Sequence, residues 1–260
     1  MKNRIKALFE TKKKNILSVF YTAGFPTLDS TVLIAETLEK AGADIIEIGI
    51  PYSDPIADGP TIQESNKIAL DNGIKLSLII DHVKAIRKSV NIPIILMGYV
   101  NPVMQYGIAK FAHDASAAGV DGVILPDLPM SAYLEEYRKL FESVNLSNTF
   151  LISPTTSEER IRKIDAVTDG FIYAVSASSV TGAKGSFAEE QLTYFKWLQS
   201  LNLKNPFLIG FGISNHETFT TASTYSAGAI VGSAFINVLK DSKNVVNDIT
   251  AFVTSLKNYT

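Results

Sequence analysis

Two carboxylates stand close together in the stretch "IIEIGIPYSDPIADGPTIQ", Ile45 to Gln63. Glu47 interrupts an apolar run, and Asp58 follows in a proline-stiffened loop that ends in the turn chemistry "DGP". An unpaired charge in an apolar strand is costly, so Glu47 must be neutralised or used. Burial raises a carboxyl pKa, which suits a general acid near neutral pH. Asp58, in a more polar setting, would stay ionised, and two carboxyls in unlike environments form an acid/base arrangement. Taken alone, Glu47 could be a buried glutamate tied to a lysine or an amide, and Asp58 a turn aspartate. Their proximity favours chemistry. Asp54 reads as a loop or surface residue.

A second group of residues has the form of an anion cradle. "IGFGIS" (Ile209 to Ser214) and "VGSAF" (Val231 to Phe235) each place glycine where a strand gives way to a helix. Glycine lets backbone N–H groups approach an anion, and the helix N-terminus adds a favourable dipole. Ser233 offers a hydroxyl donor. Either motif alone is an ordinary tight turn; two in consecutive units point to phosphate. A third stretch, "YAVSASSVTGAKGSF" from Tyr173 to Phe187, is rich in small residues and contains Gly182 and Gly185. It is expected to form a mobile lid over the site.

The elements that must hold these residues are legible as strand–helix alternation. Apolar, β-branched runs begin at Ile16, Ala43, Ile92, Val120, Ser147, Gly170, Pro206 and Gly228. Several are continuous rather than alternating, as parallel strands covered on both faces should be. Helical patterns are expected over Ser30 to Ala41, Leu76 to Val90, Ile108 to Ala118, Ala132 to Val144, Glu158 to Val167, Glu189 to Leu201 and His216 to Ala227. Ser157 and Ser214 look like N-caps, and the glycines of "AGAD", "AGVDG" and "AGAI" like helix stops.

Eight such units in one chain of 260 residues indicate a TIM (β/α)8 barrel filling residues 1–260 as a single domain, with an extra N-terminal helix. A doubly wound open sheet is the alternative, but no Gly-rich dinucleotide loop follows the first strand. Alternation turns Ile46, Ile48 and Ile50 toward the helices and Glu47 toward the barrel axis. The glycine motifs then fall after strands 7 and 8, where barrels commonly bind phosphate.

Composition excludes much else. There is no cysteine, hence no disulfide, thiolate catalysis or Cys-ligated zinc. The formal net charge is -2 with no long basic run, which argues against nucleic acid. No secretory signal or bilayer-length apolar run is present, and a cytoplasmic protein is expected. The strand runs hold no lysine for a Schiff base, and His82, His113 and His216 fall on helical patterns rather than at a metal site. The residues alone therefore describe a metal-free barrel that works on a phosphorylated small molecule by carboxylate acid/base catalysis.

The motifs "EIGIPYSDPIADGPTIQ", "YTAGFP", "DLP", "VTG", "GFGIS" and "GSA" occur in family order and span nearly the whole chain. By these the sequence resembles the tryptophan synthase α subunit family. The resemblance implies retro-aldol cleavage of indole-3-glycerol phosphate to indole and D-glyceraldehyde 3-phosphate. Glu47 and Asp58 match the catalytic pair, and Tyr173 a tyrosine beside the glutamate. Gly182, Gly212, Gly232 and Ser233 match phosphate contacts; Phe20, Tyr99, Asp127 and Phe211 match the indole pocket. The resemblance also implies a pyridoxal-phosphate-dependent β subunit as partner in an αββα heterotetramer, with no cofactor in this chain. A stand-alone lyase and another phosphate-sugar isomerase or epimerase barrel are the competing readings. Ala177, where many members have arginine, Ser179, where glycine is usual, and Gly98 depart from the family pattern.

Overall fold

A computed structural model describes residues 3–56, 58–176 and 185–257. The expected lid positions Ala177, Ser179 and Gly182 lie outside the described residues. Among the described residues there are nine strand segments: β1 Ile16–Thr22, β2 Ile45–Gly49, β3 Ile94–Met97, β4 Gly122–Ile124, β5 Ser147–Thr149, β6 Leu151–Ile152, β7 Ile172–Val175, β8 Phe207–Gly210 and β9 Gly228–Val231. All pairings are parallel, in the order β5-β4-β3-β2-β1-β9-β8-β7-β6. The two edge segments are halves of one run interrupted only at Phe150, whose carbonyl accepts from Tyr173 N at 2.9 Å. The edges therefore meet and the sheet closes, giving the eight staves of a TIM barrel with the fifth counted twice.

The two faces of each strand separate into two apolar cores. Ile46, Ile48 and Ile50 join the outer core, between the strands and the helices. Ile45, Ile95, Ile124, Tyr173, Leu208 and Ile230 join an inner one. Glu47 alternates with Ile46 and Ile48, so it points to the barrel axis, as the sequence pattern requires.

The N-terminal helix Arg4–Thr11 closes the lower end of the barrel by inserting Ile5 and Phe9 into the inner core, with Phe9 5.6 Å from the Phe171 ring. Asn3 caps this helix through Ile5 N and ties it to Asp121 O at 2.7 Å. Asp121 is the anchor of this end. Its carboxylate is paired with Arg87 and with Arg4 at 3.1 Å, and accepts from Ile94 N at 3.0 Å. Burial lowers the Arg87 pKa to about 10 despite that pairing.

Helix bounds agree with expectation at Ser30–Ala41, Ile108–Ala118 and Glu158–Val167. Several local readings change. The helix from Leu76 ends at Ile86 rather than Val90. The helix from His216 is capped by Asn215, not Ser214: the Asn215 side chain accepts from Thr218 N. The third glycine motif does not stop a helix. Gly42 and Gly119 are left-handed C-caps, but Gly228 opens β9, where a Cβ would lie 2.6 Å from Ile16 N. There the glycine allows close backbone approach. The expected helix from Ala132 to Val144 begins at Met130 and contains a π segment, Tyr133–Tyr137.

Removing the Asp121 carboxylate leaves Arg87 buried without its counter-charge. Asp121→Ala should destabilise the fold by about 3–5 kcal/mol in urea denaturation; a loss within error would show that the lower clamp is dispensable.

Candidate active site

At the C-terminal end of the strands lies a cavity of about 210 Å³ lined by Phe20, Glu47, Asp58, Tyr173, Phe211, Gly212, Gly232 and Ser233, among others. The sequence placed these eight residues on six different strands or loops, and the fold brings them to one space. A smaller cavity of about 70 Å³ adjoins it through the shared residues Phe20, Asp58, Ile62, Met97 and Phe211, and its wall includes Ile50, Gly98, Tyr99 and Leu151. Acid chemistry and the glycine turns thus line the larger lobe, and apolar side chains dominate the smaller.

Glu47 is fully buried. Its Oε1 accepts a hydrogen bond from Ser18 Oγ at 2.6 Å, while Oε2 has no partner among the described residues. Loss of hydration drives its pKa up to about 7, against the opposing pull of the Ser18 hydrogen bond. Asp58 is half-buried, and the same cause raises its pKa to about 6, with the Tyr99 hydroxyl, 3.4 Å from Oδ2, holding it down. Burial and the two neighbouring carboxyls raise the Tyr173 pKa well above its ordinary value, so the phenol keeps its proton.

Aromatic walls are seated on glycines by a repeated device. Phe20 pairs in register with Glu47, and a Cβ on Gly49, two residues further along β2, would lie 2.6 Å from Phe20 Cζ. Tyr173 pairs with Leu208, and a Cβ on Gly210, two residues along β8, would lie 2.6 Å from Tyr173 Cζ. Each ring leans across the bare backbone of the next strand. Phe211 then adopts φ of 67°, a left-handed conformation that is costly for a residue with a side chain. Ser176 Oγ holds its carbonyl at 2.7 Å, and its ring meets Tyr173 edge-on at 6.3 Å.

On the opposite side, Gly212 has φ of 75° and Gly232 is the N-cap of the helix Ser233–Asp241. The cavity therefore ends against a helix N-terminus, where an anion is favoured. Of the expected residues, Tyr99 lines only the smaller lobe. Asp127 lines neither: its carboxylate accepts from Val100 N at 2.9 and 3.2 Å, at the start of helix Val100–Tyr106, and its neighbour Pro126 reaches the small lobe instead. Gly182 lies outside the described residues. Sequence reasoning missed Ser18 and Met97. Both could be found by alternation, from Phe20 on β1 and from Ile95 on β3. None of the three histidines lines either lobe.

The model of the tryptophan synthase alpha chain family matches residues 6–260. The chain belongs to that family. The tryptophan synthase alpha chain of Flavobacterium psychrophilum is 52% identical over 254 residues, covering 98% of this chain and 99% of the relative. That of Phocaeicola vulgatus is 53% identical over 239 residues, or 92% and 93% of the two chains. Among solved structures, tryptophan synthase subunit alpha from Legionella pneumophila superposes with a TM-score of 0.88 at 33% identity, covering 99% and 98%. Tryptophan synthase from M. tuberculosis gives 0.86 at 28% identity, covering 98% of each chain. Members of this tryptophan synthase alpha chain family are lyases that cleave indole-3-glycerol phosphate in tryptophan biosynthesis.

The seating of Tyr173 on Gly210 is directly testable. Gly210→Ala should cost about 1–3 kcal/mol through overpacking in urea denaturation and displace the Tyr173 ring in a crystal structure; an unmoved ring at unchanged stability would refute the contact.

Proposed function

We propose that Glu47 and Asp58 carry the family's retro-aldol step in this chain. The observation behind this reading is that the two differently shifted carboxyls line one cavity, which ends at a helix N-terminus able to take the substrate phosphate. Gly212, Gly232 and Ser233 hold the phosphate, with Gly182 as a further contact. The apolar lobe formed by Phe20, Met97, Tyr99 and Phe211 takes the indole ring. Asp127 acts on the pocket through the backbone at Val100 rather than by contact.

The chemistry assigns the protonation states. Asp58, ionised, accepts the indole N–H hydrogen bond. Glu47, neutral, delivers its proton to indole C3, and the resulting cationic indolenine is stabilised by Asp58. Glu47, now a carboxylate, takes the proton of the glycerol hydroxyl next to the ring. That oxygen becomes the aldehyde carbonyl, the carbon–carbon bond breaks, and its electrons return to the ring. Indole and D-glyceraldehyde 3-phosphate leave, and Glu47 is again neutral. Tyr173, fixed as a neutral phenol beside the pair, packs against the substrate and excludes water.

The partner in this reading is the tryptophan synthase β subunit, in an αββα assembly. That subunit holds pyridoxal phosphate and consumes the indole; the alpha chain needs no cofactor of its own. The loop face supports such docking. A groove of about 590 Å³ beside the active site is lined by Pro51, Tyr52, Asp54, Asn101 and Gln105, and Ile56 on the same loop is 91% exposed. Among the described residues no helix is long and apolar enough to cross a membrane. We place the complex in the cytoplasm, and treat residues 1–260 as one catalytic domain.

Glu47→Gln and Asp58→Asn should each lower indole release by at least about 10²-fold, the scale of one positioned proton transfer, while binding of a phosphorylated ligand survives. Near-normal turnover in either variant would remove that residue from the mechanism. The signs of the pKa shifts fix the pH profile of kcat/KM. The rate falls as pH drops through about 6, where Asp58 loses its charge, and falls as pH rises through about 7, where Glu47 loses its proton. A plateau extending well above pH 8 would contradict Glu47 as the acid. Addition of a β subunit should raise indole release; no complex and no stimulation would favour a stand-alone lyase.

A further inference from the structure

Ser18 lies on the inward face of β1, one inward position before Phe20, which is the register partner of Glu47. It is fully buried, and its hydroxyl lies 2.6 Å from Glu47 Oε1. Nothing in the reaction described above uses it. A serine next to an inner core that includes Ile16, Ile45, Ile95, Leu208 and Ile230 has a desolvation cost, and its one hydrogen bond among the described residues offsets that cost only if donor and acceptor roles are settled.

We propose that Ser18 is a positioning residue for Glu47: its hydroxyl pins Oε1 as an acceptor and so assigns the transferable proton to Oε2. The inference rests on Glu47 as the proton donor. Among the described residues, the only hydrogen bond Ser18 Oγ makes is to Oε1. If neutral Glu47 instead donated from Oε1, the serine proton would be left in an apolar interior with no acceptor. With Oε1 as the carbonyl oxygen of the neutral acid, the O–H is on Oε2, the oxygen without a partner among the described residues. Once Glu47 has given up that proton, the same hydrogen bond stabilises the carboxylate, which then accepts the glycerol proton. One hydroxyl thus fixes which oxygen reacts and keeps the carboxyl from rotating away between the two transfers.

The titratable groups facing Glu47 across the cavity are Asp58 and Tyr173. Phe20, Met97, Phe211 and Ile230, on the other elements around it, carry no charge. Loss of the Ser18 hydroxyl therefore acts on the Glu47 limb of the pH profile and leaves the Asp58 limb in place. Without the donor the carboxylate is less favoured, so the Glu47 pKa moves further up.

The test is the pH dependence of indole release by full-length Ser18→Ala, Ser18→Cys and Ser18→Thr, with Glu47→Gln alongside. Ser18→Ala should lower kcat by roughly tenfold, the scale of one hydrogen bond to a charged group, with KM changed less than about twofold. Its high-pH limb should move upward and its low-pH limb stay. Ser18→Cys, similar in shape but a weak donor, should fall between Ala and wild type and keeps the test available if the alanine variant folds poorly. Ser18→Thr should restore both rate and limb. An unchanged high-pH limb in Ser18→Ala and Ser18→Cys, with Glu47→Gln inactive, would overturn the role of Ser18 and leave the mechanism intact. Full activity in Glu47→Gln would instead overturn the mechanism on which it rests.

Discussion

The site depends on keeping one carboxyl group almost dry. Glu47 is surrounded by the inner core of the barrel and, among the described residues, has a single hydrogen-bond donor. Water would restore its ordinary pKa and remove the reason for its protonation near neutral pH. The closed sheet excludes water from the sides, and the N-terminal helix excludes it from below by inserting Ile5 and Phe9. The clamp of Asp121 with Arg87 and Arg4 is far from the chemistry, yet it holds that plug in place. Stability at the lower end and acidity at the upper end are two consequences of one closed, apolar interior.

The proposed reaction uses two carboxyls rather than one, and the second is Asp58. Placed on a loop, half-buried, it is less desolvated than Glu47, so its pKa rises less. The order of the two values follows from their burial, strand interior against loop rim, and from the lower ordinary pKa of an aspartate. In the proposed reaction that order makes one group the acid and the other the anion over the same pH range. The glycines serve the same end by subtraction. Gly49 and Gly210 surrender their side chains so that Phe20 and Tyr173 can lie flat across neighbouring strands and wall the pair off from solvent.

Much of this was legible in the sequence where a single period or spacing decides the outcome. The period of two fixes the face of Glu47 once Ile46, Ile48 and Ile50 are assigned outward. The glycine motifs after the last two strands fall at the cavity because a barrel puts all such loops at one end. What the sequence hid depends on register between strands. Ser18 is visible as an inward residue, but only the pairing of Phe20 with Glu47 places it at Oε1. The step from Gly210 to Tyr173 is likewise a relation between chains of residues far apart. Local ambiguities also remained: Ser214 and Asn215 can both cap a helix, and the asparagine reaches Thr218 N. Gly228 carries the same motif as Gly42 and Gly119, yet strand proximity to Ile16 decides its role. Asp127 matches a pocket motif, but the free amide at Val100 claims its carboxylate.

The barrel keeps Glu47 dry, and that dryness is what favours its neutral form near neutral pH. The most direct measurement is a carbon NMR titration of glutamate-labelled protein, with the spectrum of Glu47→Gln used to assign the signal. The Glu47 carboxyl should titrate with a midpoint near 7. A midpoint near the ordinary 4.5 would contradict it.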